Sequence, residues 1–200
     1  MIIDKKSLLL KNDNLYLRPL TIGDITDEYI NGLNDPEVNK YLVNVRLQVQ
    51  TRESVKMFII SNIENPASIL FGIFIKEIEQ PFIGTLRVSE IDFFHYIASI
   101  GICLFTKRSW KRGYAQQALN LVKDYLFNTV ELRFLEAGVY AENLSSINVF
   151  TKAGFYESYI VRGKYRHIDS FKDVVYLAAI NPNFDISLLK KGGEGVASGQ

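Results

Sequence analysis

A chain of 200 residues is long enough for one sizeable core and too short for two large domains. Apolar residues make up 48% and charged residues 22%, a globular composition that excludes wholesale disorder. With 23 basic against 22 acidic side chains the net charge is +1, so no whole-molecule field draws the chain to nucleic acid or an anionic membrane.

At the N-terminus Lys5 and Lys6 precede Leu8, Leu9 and Leu10, an apolar run too short for a signal peptide. Leu15, Tyr16, Leu17 and Arg18 form a β-prone run that stops at Pro19. Thr21 then stands where a helix N-cap would, with Asp24 three residues on. Ile22, Ile25, Tyr29, Ile30 and Leu33 recur at helical spacing until Asn34, Asp35 and Pro36 break it. A second helix is predicted after Thr51, with Val55, Phe58, Ile59 and Ile63 on its apolar face and an end by Asn65 and Pro66.

Residues 69–76 and 81–89 are β-branched and aromatic runs joined by Glu77 to Gln80, which reads as a hairpin, and a third strand follows over 96–105. Ala115, Ala118, Leu119, Val122, Tyr125 and Leu126 then fall on one helical stripe, the most regular in the chain. After it come a strand over 133–140, a short helix over 144–152 that Gly154 closes, and strands over 155–161 and 173–180. The order β, α, α, β, β, β, α, β, α, β, β predicts an α/β (α+β) fold: a mixed sheet with helices on its faces. Residues 1–185 are read as one domain. Residues 186–200, with Gly192, Gly193, Gly195 and Gly199, are read as a disordered tail.

The second half is the more basic: residues 1–100 carry 10 basic and 13 acidic side chains, residues 101–200 carry 13 and 9. Four of those basics are Lys107, Arg108, Lys111 and Arg112, so an anion site is expected there. Cys103 is the single cysteine, which excludes an internal disulfide and a cysteine zinc cluster and suits a reducing compartment; the chain is read as cytoplasmic. No metal site is expected, since His95 and His167 are isolated. The longest uncharged stretch, residues 93–106, has 14 residues against the about 20 that a membrane helix needs.

The informative segment is residues 99–115, where a strand runs into Thr106-Lys107-Arg108-Ser109-Trp110-Lys111-Arg112-Gly113-Tyr114-Ala115 and then the regular helix. A basic loop opening a helix suits a phosphate-bearing ligand, because free N–H groups and the positive dipole end favour anions. Neither a Gly-Lys-Ser/Thr phosphate loop nor the three-glycine dinucleotide fingerprint is present. From spacing alone the loop stays open between that reading and a solvated connection that Gly113 merely turns.

Trp110-Lys111-Arg112-Gly113-Tyr114-Ala115, the spaced Asn143 and Ser146, and Lys152-Ala153-Gly154-Phe155 together resemble the GNAT superfamily of acetyl-CoA-dependent N-acetyltransferases. Leu15-Tyr16-Leu17-Arg18-Pro19-Leu20 and Asn34-Asp35-Pro36-Glu37-Val38 resemble its branch of ribosomal-protein N-terminal acetyltransferases, and, with Val38-Asn39-Lys40-Tyr41-Leu42, relatives that acetylate amino sugars. The resemblance spans about residues 14–180. It implies a GNAT-like acyl-CoA N-acyltransferase fold with a mixed, mainly antiparallel sheet flanked by helices.

The resemblance further implies that backbone groups at Ile102, Cys103 and Leu104 pair with the pantetheine arm, and that Lys107, Arg108, Lys111, Arg112, Gly113, Tyr114 and Ala115 cradle the pyrophosphate. Asn143 would hydrogen-bond the arm and Ser146 would face the thioester sulfur. The chemistry would be direct attack of a neutral primary amine on the thioester carbonyl, served by a base and an acid. Many relatives place a tyrosine acid where Phe150 stands, which leaves Ser146 as the acid. Relatives often carry a glutamate where Ser99 stands, so the base falls to Glu90 or His95, weighed against a bland role as turn residues. Cys103 is read as a small buried residue and Phe93, Phe94 and Tyr96 as core aromatics with a second reading as a pocket roof.

The expected partner is a small-molecule or peptide amine, either a nucleotide-linked amino sugar or a protein N-terminus. Neither nucleic acid nor membrane is expected, and the assembly is a monomer or homodimer. His167, with Arg162, Lys164, Tyr165 and Arg166, is read as a polar loop that would suit an anionic acceptor. The alternative is a noncatalytic acyl-CoA-binding or protein-interaction module, motivated by Phe150 and Ser99.

Overall fold

The computed structural model describes residues 3–76, 81–167 and 170–191. Its strands are β1 (Leu10–Lys11), β2 (Leu15–Pro19), β3 (Ile69–Ile75), β4 (Phe82–Asp92), β5 (Ile97–Leu104), β6 (Phe134–Tyr140), β7 (Tyr156–His167) and β8 (Ser170–Ile180). They form one sheet in the order β1-β2-β3-β4-β5-β6-β8-β7. Every neighbouring pair is antiparallel except β5 with β6. The helices are α1 (Asp27–Asn34), α2 (Pro36–Asn39), α3 (Arg52–Glu64), α4 (Tyr114–Asn128), α5 (Leu144–Lys152) and α6 (Leu188–Lys191). The predicted hairpin turn at Glu77 to Gln80 and the tail beyond Lys191 lie outside the described residues.

The sheet is covered on both faces, and β3 shows this directly. Ile69, Phe71 and Ile73 enter the main core with the α4 residues Ala118, Leu119, Val122 and Leu126, while Leu70 and Phe74 enter a second core with Tyr29, Val55 and Ile59 of α1 and α3. Alternate strand residues point to opposite faces, so a strand covered on both sides reads as an unbroken apolar run. Each large side chain buried on the α4 face contributes about 2 kcal/mol.

The first predicted helix is two elements. Asp24 closes a capping box with Thr21 over a 3₁₀ turn at Ile22–Asp24, and the Thr26 hydroxyl then accepts from the Tyr29 N–H at 3.1 Å to start α1. Asp35 ends α1 and also caps α2, accepting from the Glu37 N–H at 2.9 Å with Pro36 at the first helical position. A sequence of breakers therefore both stops one helix and opens another.

In α3 the expected apolar face is corrected at two positions. Val55 and Ile59 are buried, but Phe58 and Ile63 are exposed and Asn62 takes the inner position. The Asn62 side chain accepts from the Ser68 hydroxyl at 2.5 Å and the Arg87 Nε–H at 2.9 Å, and donates to the Phe58 carbonyl at 2.8 Å. A polar side chain with its bonding satisfied this fully can replace an apolar one in the interior.

The polar loop expected at 162–167 is also corrected: these residues continue β7, with Tyr165 opposite Lys172 and His167 opposite Ser170. The ladder shifts register between Glu157 and Tyr159 and again, more widely, between Val161 and Tyr165. There Gly163 adopts φ 57, and Asp173 accepts from its N–H at 2.8 Å and from Arg162 at 2.5 Å. The bulge absorbs the irregularity, and pairing resumes in a long two-stranded arm.

Candidate active site

β5 and β6 lie side by side only from Ile97 opposite Phe134 to Ser99 opposite Glu136. Beyond that rung β5 stays paired with β4 as far as Leu104, and β6 stays paired with β8 as far as Tyr140. The two strands thus splay. In a strand both backbone groups of a residue face the same neighbour and alternate along the chain. The Tyr96 carbonyl accepts from the Phe134 N–H at 3.0 Å, and the Phe105 N–H donates to the Ile83 carbonyl at 3.1 Å. Even-numbered residues of β5 accordingly face β6 and odd-numbered ones face β4.

Past the rung, then, Ile102 presents its N–H and C=O to the gap, while Cys103 turns its own toward β4. The Leu104 carbonyl is taken by the Trp110 Nε1–H at 2.8 Å, which anchors the following loop. On the facing strand Gly138 is the open position, and an added Cβ there would meet the Tyr176 ring at 3.3 Å. Gly138 escaped sequence reasoning, since only the pairing of β6 with β8 shows which residues border the gap.

The basic loop follows the splayed strand. Lys107 binds Asp35 at 2.7 Å and Glu37 at 2.6 Å, and Arg108 reaches Glu28 at 3.4 Å. Hydrogen bonds with Asp35 and then Glu37 raise the Lys107 pKa, and the Lys107 bond lowers that of Asp35. These two cations hold the loop to α1 and α2, beside a concavity of about 580 Å³ between them. Lys111 and Arg112 make no ion pair among the described residues. Lys111 has φ 60 and Gly113 has φ 77, so the chain curls left-handed twice before α4. The first helical bond runs from the Gln117 N–H to the Gly113 carbonyl at 3.0 Å, leaving Tyr114, Ala115 and Gln116 with free N–H groups. A Cβ on Gly113 would touch only the Gln117 amide at 3.8 Å, so the space above the helix start is open.

Asn143 caps α5: its side-chain oxygen accepts from the Ser146 N–H at 3.2 Å. Its amide nitrogen and the Ser146 hydroxyl have no protein partner among the described residues. Phe150, one turn past Ser146, is 2% exposed and meets Phe155 edge-on at 5.1 Å, so it belongs to the core.

The two predicted base candidates separate. Glu90, at φ 54 in the β4 irregularity, accepts from the Ser99 hydroxyl at 2.5 Å and so reaches the last joined rung. His95 lies in the exposed turn between β4 and β5, its N–H bonded to Asp92 and its ring against Phe94 at 4.8 Å. Phe94 is exposed there, and Tyr96 packs on Phe184 at 5.0 Å. Burial pushes the Cys103 thiol up to about 12, far from a nucleophile's range.

An aromatic and cationic cluster closes the far end of β6. Tyr140 packs against Tyr41, Tyr165 and His167, with ring centroids at 5.7, 5.9 and 6.3 Å. The Tyr41 hydroxyl donates to the Glu142 carbonyl at 3.3 Å and an Arg46 Nη donates to the Arg166 carbonyl at 3.1 Å, so segment 41–46 spans from α5 to the arm. These residues come from three separate parts of the chain, 41–46, 140–142 and 165–167, which is why the sequence did not group them. Among the described residues no group of His, Cys, Asp or Glu is placed to hold a metal ion, and no helix is long and apolar enough to cross a membrane.

The family model described as an acetyltransferase (GNAT) domain matches residues 14–156. The chain is 31% identical over 155 residues to the uncharacterized N-acetyltransferase p20 of Bacillus licheniformis, covering 76% of this chain and 85% of that protein. In fold it resembles spermidine N-acetyltransferase from Vibrio cholerae, solved with CoA and spermine, at a TM-score of 0.75 and 20% identity over 86% of this chain and 99% of that one. It also resembles ribosomal-protein-S5-alanine acetyltransferase from Vibrio fischeri, at a TM-score of 0.72 and 18% identity over 90% of this chain and all of the other.

Proposed function

The chain belongs to the acetyltransferase (GNAT) family, enzymes that move the acetyl group of acetyl-CoA to an amine, and we propose that its site runs along the β5–β6 gap. The observation that carries this reading is the splay itself, with unpaired backbone groups at Ile102 that an extended pantetheine arm can complete as an added strand would. The open left-handed turn at Gly113 and the free N–H groups of α4 suit a pyrophosphate, with Lys111 and Arg112 as its cations and Lys107 and Arg108 as anchors of the loop. The unpartnered Asn143 amide is a donor for the arm.

Acetyl transfer needs a neutral amine, a polarised thioester carbonyl and a proton for the departing sulfur. The amine nitrogen bonds to the carbonyl carbon as the carbon–sulfur bond breaks. Glu90, through the Ser99 hydroxyl or a water, takes the proton that the ammonium loses, and the nitrogen releases its second proton to solvent as the amide forms; His95 is the weaker candidate because it stays in the turn. The Ile102 N–H faces the carbonyl. Ser146 gives a proton to the thiolate and regains one from solvent, a role left to it by a buried Phe150. The acceptor enters from the β6 end, and a nucleotide-linked amino sugar or a protein N-terminal amine is proposed for it on the basic residues of the arm. Residues 1–185 are proposed to act as one domain.

The test is thiol release from acetyl-CoA with a panel of amino sugars, N-terminal peptides and polyamines. Saturable release with one amine class, abolished when that amine is pre-acetylated, is expected. Absence of release with the whole panel contradicts the reading.

A further inference from the structure

Among the described residues two buried polar atoms have no hydrogen-bond partner: the Tyr140 hydroxyl at the end of β6 and the Arg46 Nε. Tyr140 is 4% exposed, enclosed by the rings of Tyr41, Tyr165 and His167. Arg46 is held from the other side, since an Nη donates to the Arg166 carbonyl at 3.1 Å and fixes the guanidinium between segment 41–46 and the arm. Leaving a buried N–H and O–H unbonded is costly, so such a pair in an otherwise satisfied interior marks a place where an acceptor belongs.

The surroundings state the charge of that acceptor. Glu142 is the nearby carboxylate, and it is bound to Lys172 at 2.6 Å. The bond from Lys172, helped by His167 and Lys40, holds the Glu142 carboxyl below the usual range. Burial raises the Tyr140 phenol and the Arg46 charge partly offsets it, so the hydroxyl stays protonated at neutral pH and the two groups lie within electrostatic reach. With Glu142 committed, Arg46 makes no ion pair among the described residues, and both orphans can donate.

We propose that the Arg46 Nε–H and the Tyr140 O–H form an oxyanion subsite that selects acceptor amines bearing a carboxylate or a phosphate. A guanidinium edge and a phenol converging on one oxyanion form charge-assisted hydrogen bonds, whereas a polyamine meets like charge there. The assignment of this subsite to the acceptor rests on the acetyltransferase reading above; the binding of an oxyanion does not.

The experiment follows the Arg46 Nε–H resonance, identified by its loss in Arg46→Lys, while CoA-saturated protein is titrated with glucosamine 6-phosphate, 4-aminobutyrate, glucosamine and spermidine. A saturable downfield shift with the phosphate or the carboxylate probe is expected, the responding probe naming the oxyanion, with binding at least about 10-fold tighter than to glucosamine and about 10-fold weaker in Tyr140→Phe. No shift with either oxyanion, an equal response to glucosamine or spermidine, or unchanged affinity in Tyr140→Phe overturns the proposal. Calorimetric titration of CoA into the same protein prepared without CoA, with the oxyanion probes repeated on that protein, separates the two failures. CoA binding without oxyanion response sinks the subsite alone, and oxyanion response without CoA binding leaves the subsite standing and removes the cofactor reading.

Discussion

Ser99 stands opposite Glu136 on the last rung that joins β5 to β6, and past it each strand keeps only its outer neighbour. A parallel pair inside a mainly antiparallel sheet is where this parting can occur without breaking either half. The parting leaves Ile102 with backbone groups that no neighbouring strand takes among the described residues, just before β5 runs into the basic loop.

Gly113 sits at φ 77 with space above it. Gly113→Val forces a β-branched residue into the left-handed region at about 1–2 kcal/mol and fills that space. The apparent KM for acetyl-CoA is expected to rise at least about 10-fold, with far-ultraviolet dichroism unchanged. Steady-state kinetics with wild-type KM contradict the assigned turn.

The Ser146 hydroxyl has no protein partner among the described residues, whereas its N–H is used by the cap. Ser146→Ala is therefore expected to lower kcat about 10-fold or more and leave the Kd for CoA within about 2-fold. Equal loss in both parameters would make Ser146 a binding group instead.

Lys107 is tied to Asp35 and Glu37, while Lys111 has no ion pair among the described residues. Lys111→Ala is expected to weaken CoA binding more than Lys107→Ala, and to flatten the salt dependence of that binding. The opposite ranking, read by calorimetry at two salt concentrations, removes the division between anchor and ligand cations.

Arg18 donates to both carboxylate oxygens of Asp24, at 2.8 and 2.5 Å. Burial opposes ionisation of Asp24, but the bonds from Arg18 and Thr21 outweigh it and lower its pKa from 3.8. A carboxyl depressed on folding stabilises above its unfolded pKa and loses that contribution as the pH falls through the folded one. Asp24→Asn is expected to cost about 1 kcal/mol at pH 7, a few degrees in Tm, and the difference from wild type should narrow below pH 3.8. A difference in Tm that persists unchanged at pH 2 contradicts the pairing.

Much of this arrangement was legible in the sequence, for identifiable reasons. Helix α4 announces itself because Ala118, Leu119, Val122 and Leu126 all face one core, and Thr51 marks the start of α3 because capping is local chemistry. Residues 107–113 stand out as a basic run opening a helix, and their role, like that of Asn143, was legible only through the family resemblance. What escaped depends on distant partners. Asn62 replaces Ile63 on the inner face because Ser68 and Arg87 satisfy it. Residues 162–167 extend β7 because Asp173 stabilises the bulge at Gly163. Lys107 and Arg108 look equivalent to Lys111 and Arg112 until α1 and α2 fold beside them. The Tyr41, Arg46, Tyr140, Tyr165 and His167 cluster has no sequence signature, since only the sheet order brings β6 beside the arm.

Occupation of the β5–β6 gap by CoA is read by calorimetric titration of the protein with acetyl-CoA and with CoA. One-to-one binding of both, with Kd on the order of micromolar and weakened in Gly113→Val, is the predicted result. Absence of binding at about millimolar ligand, corresponding to less than about 4 kcal/mol of affinity, contradicts it.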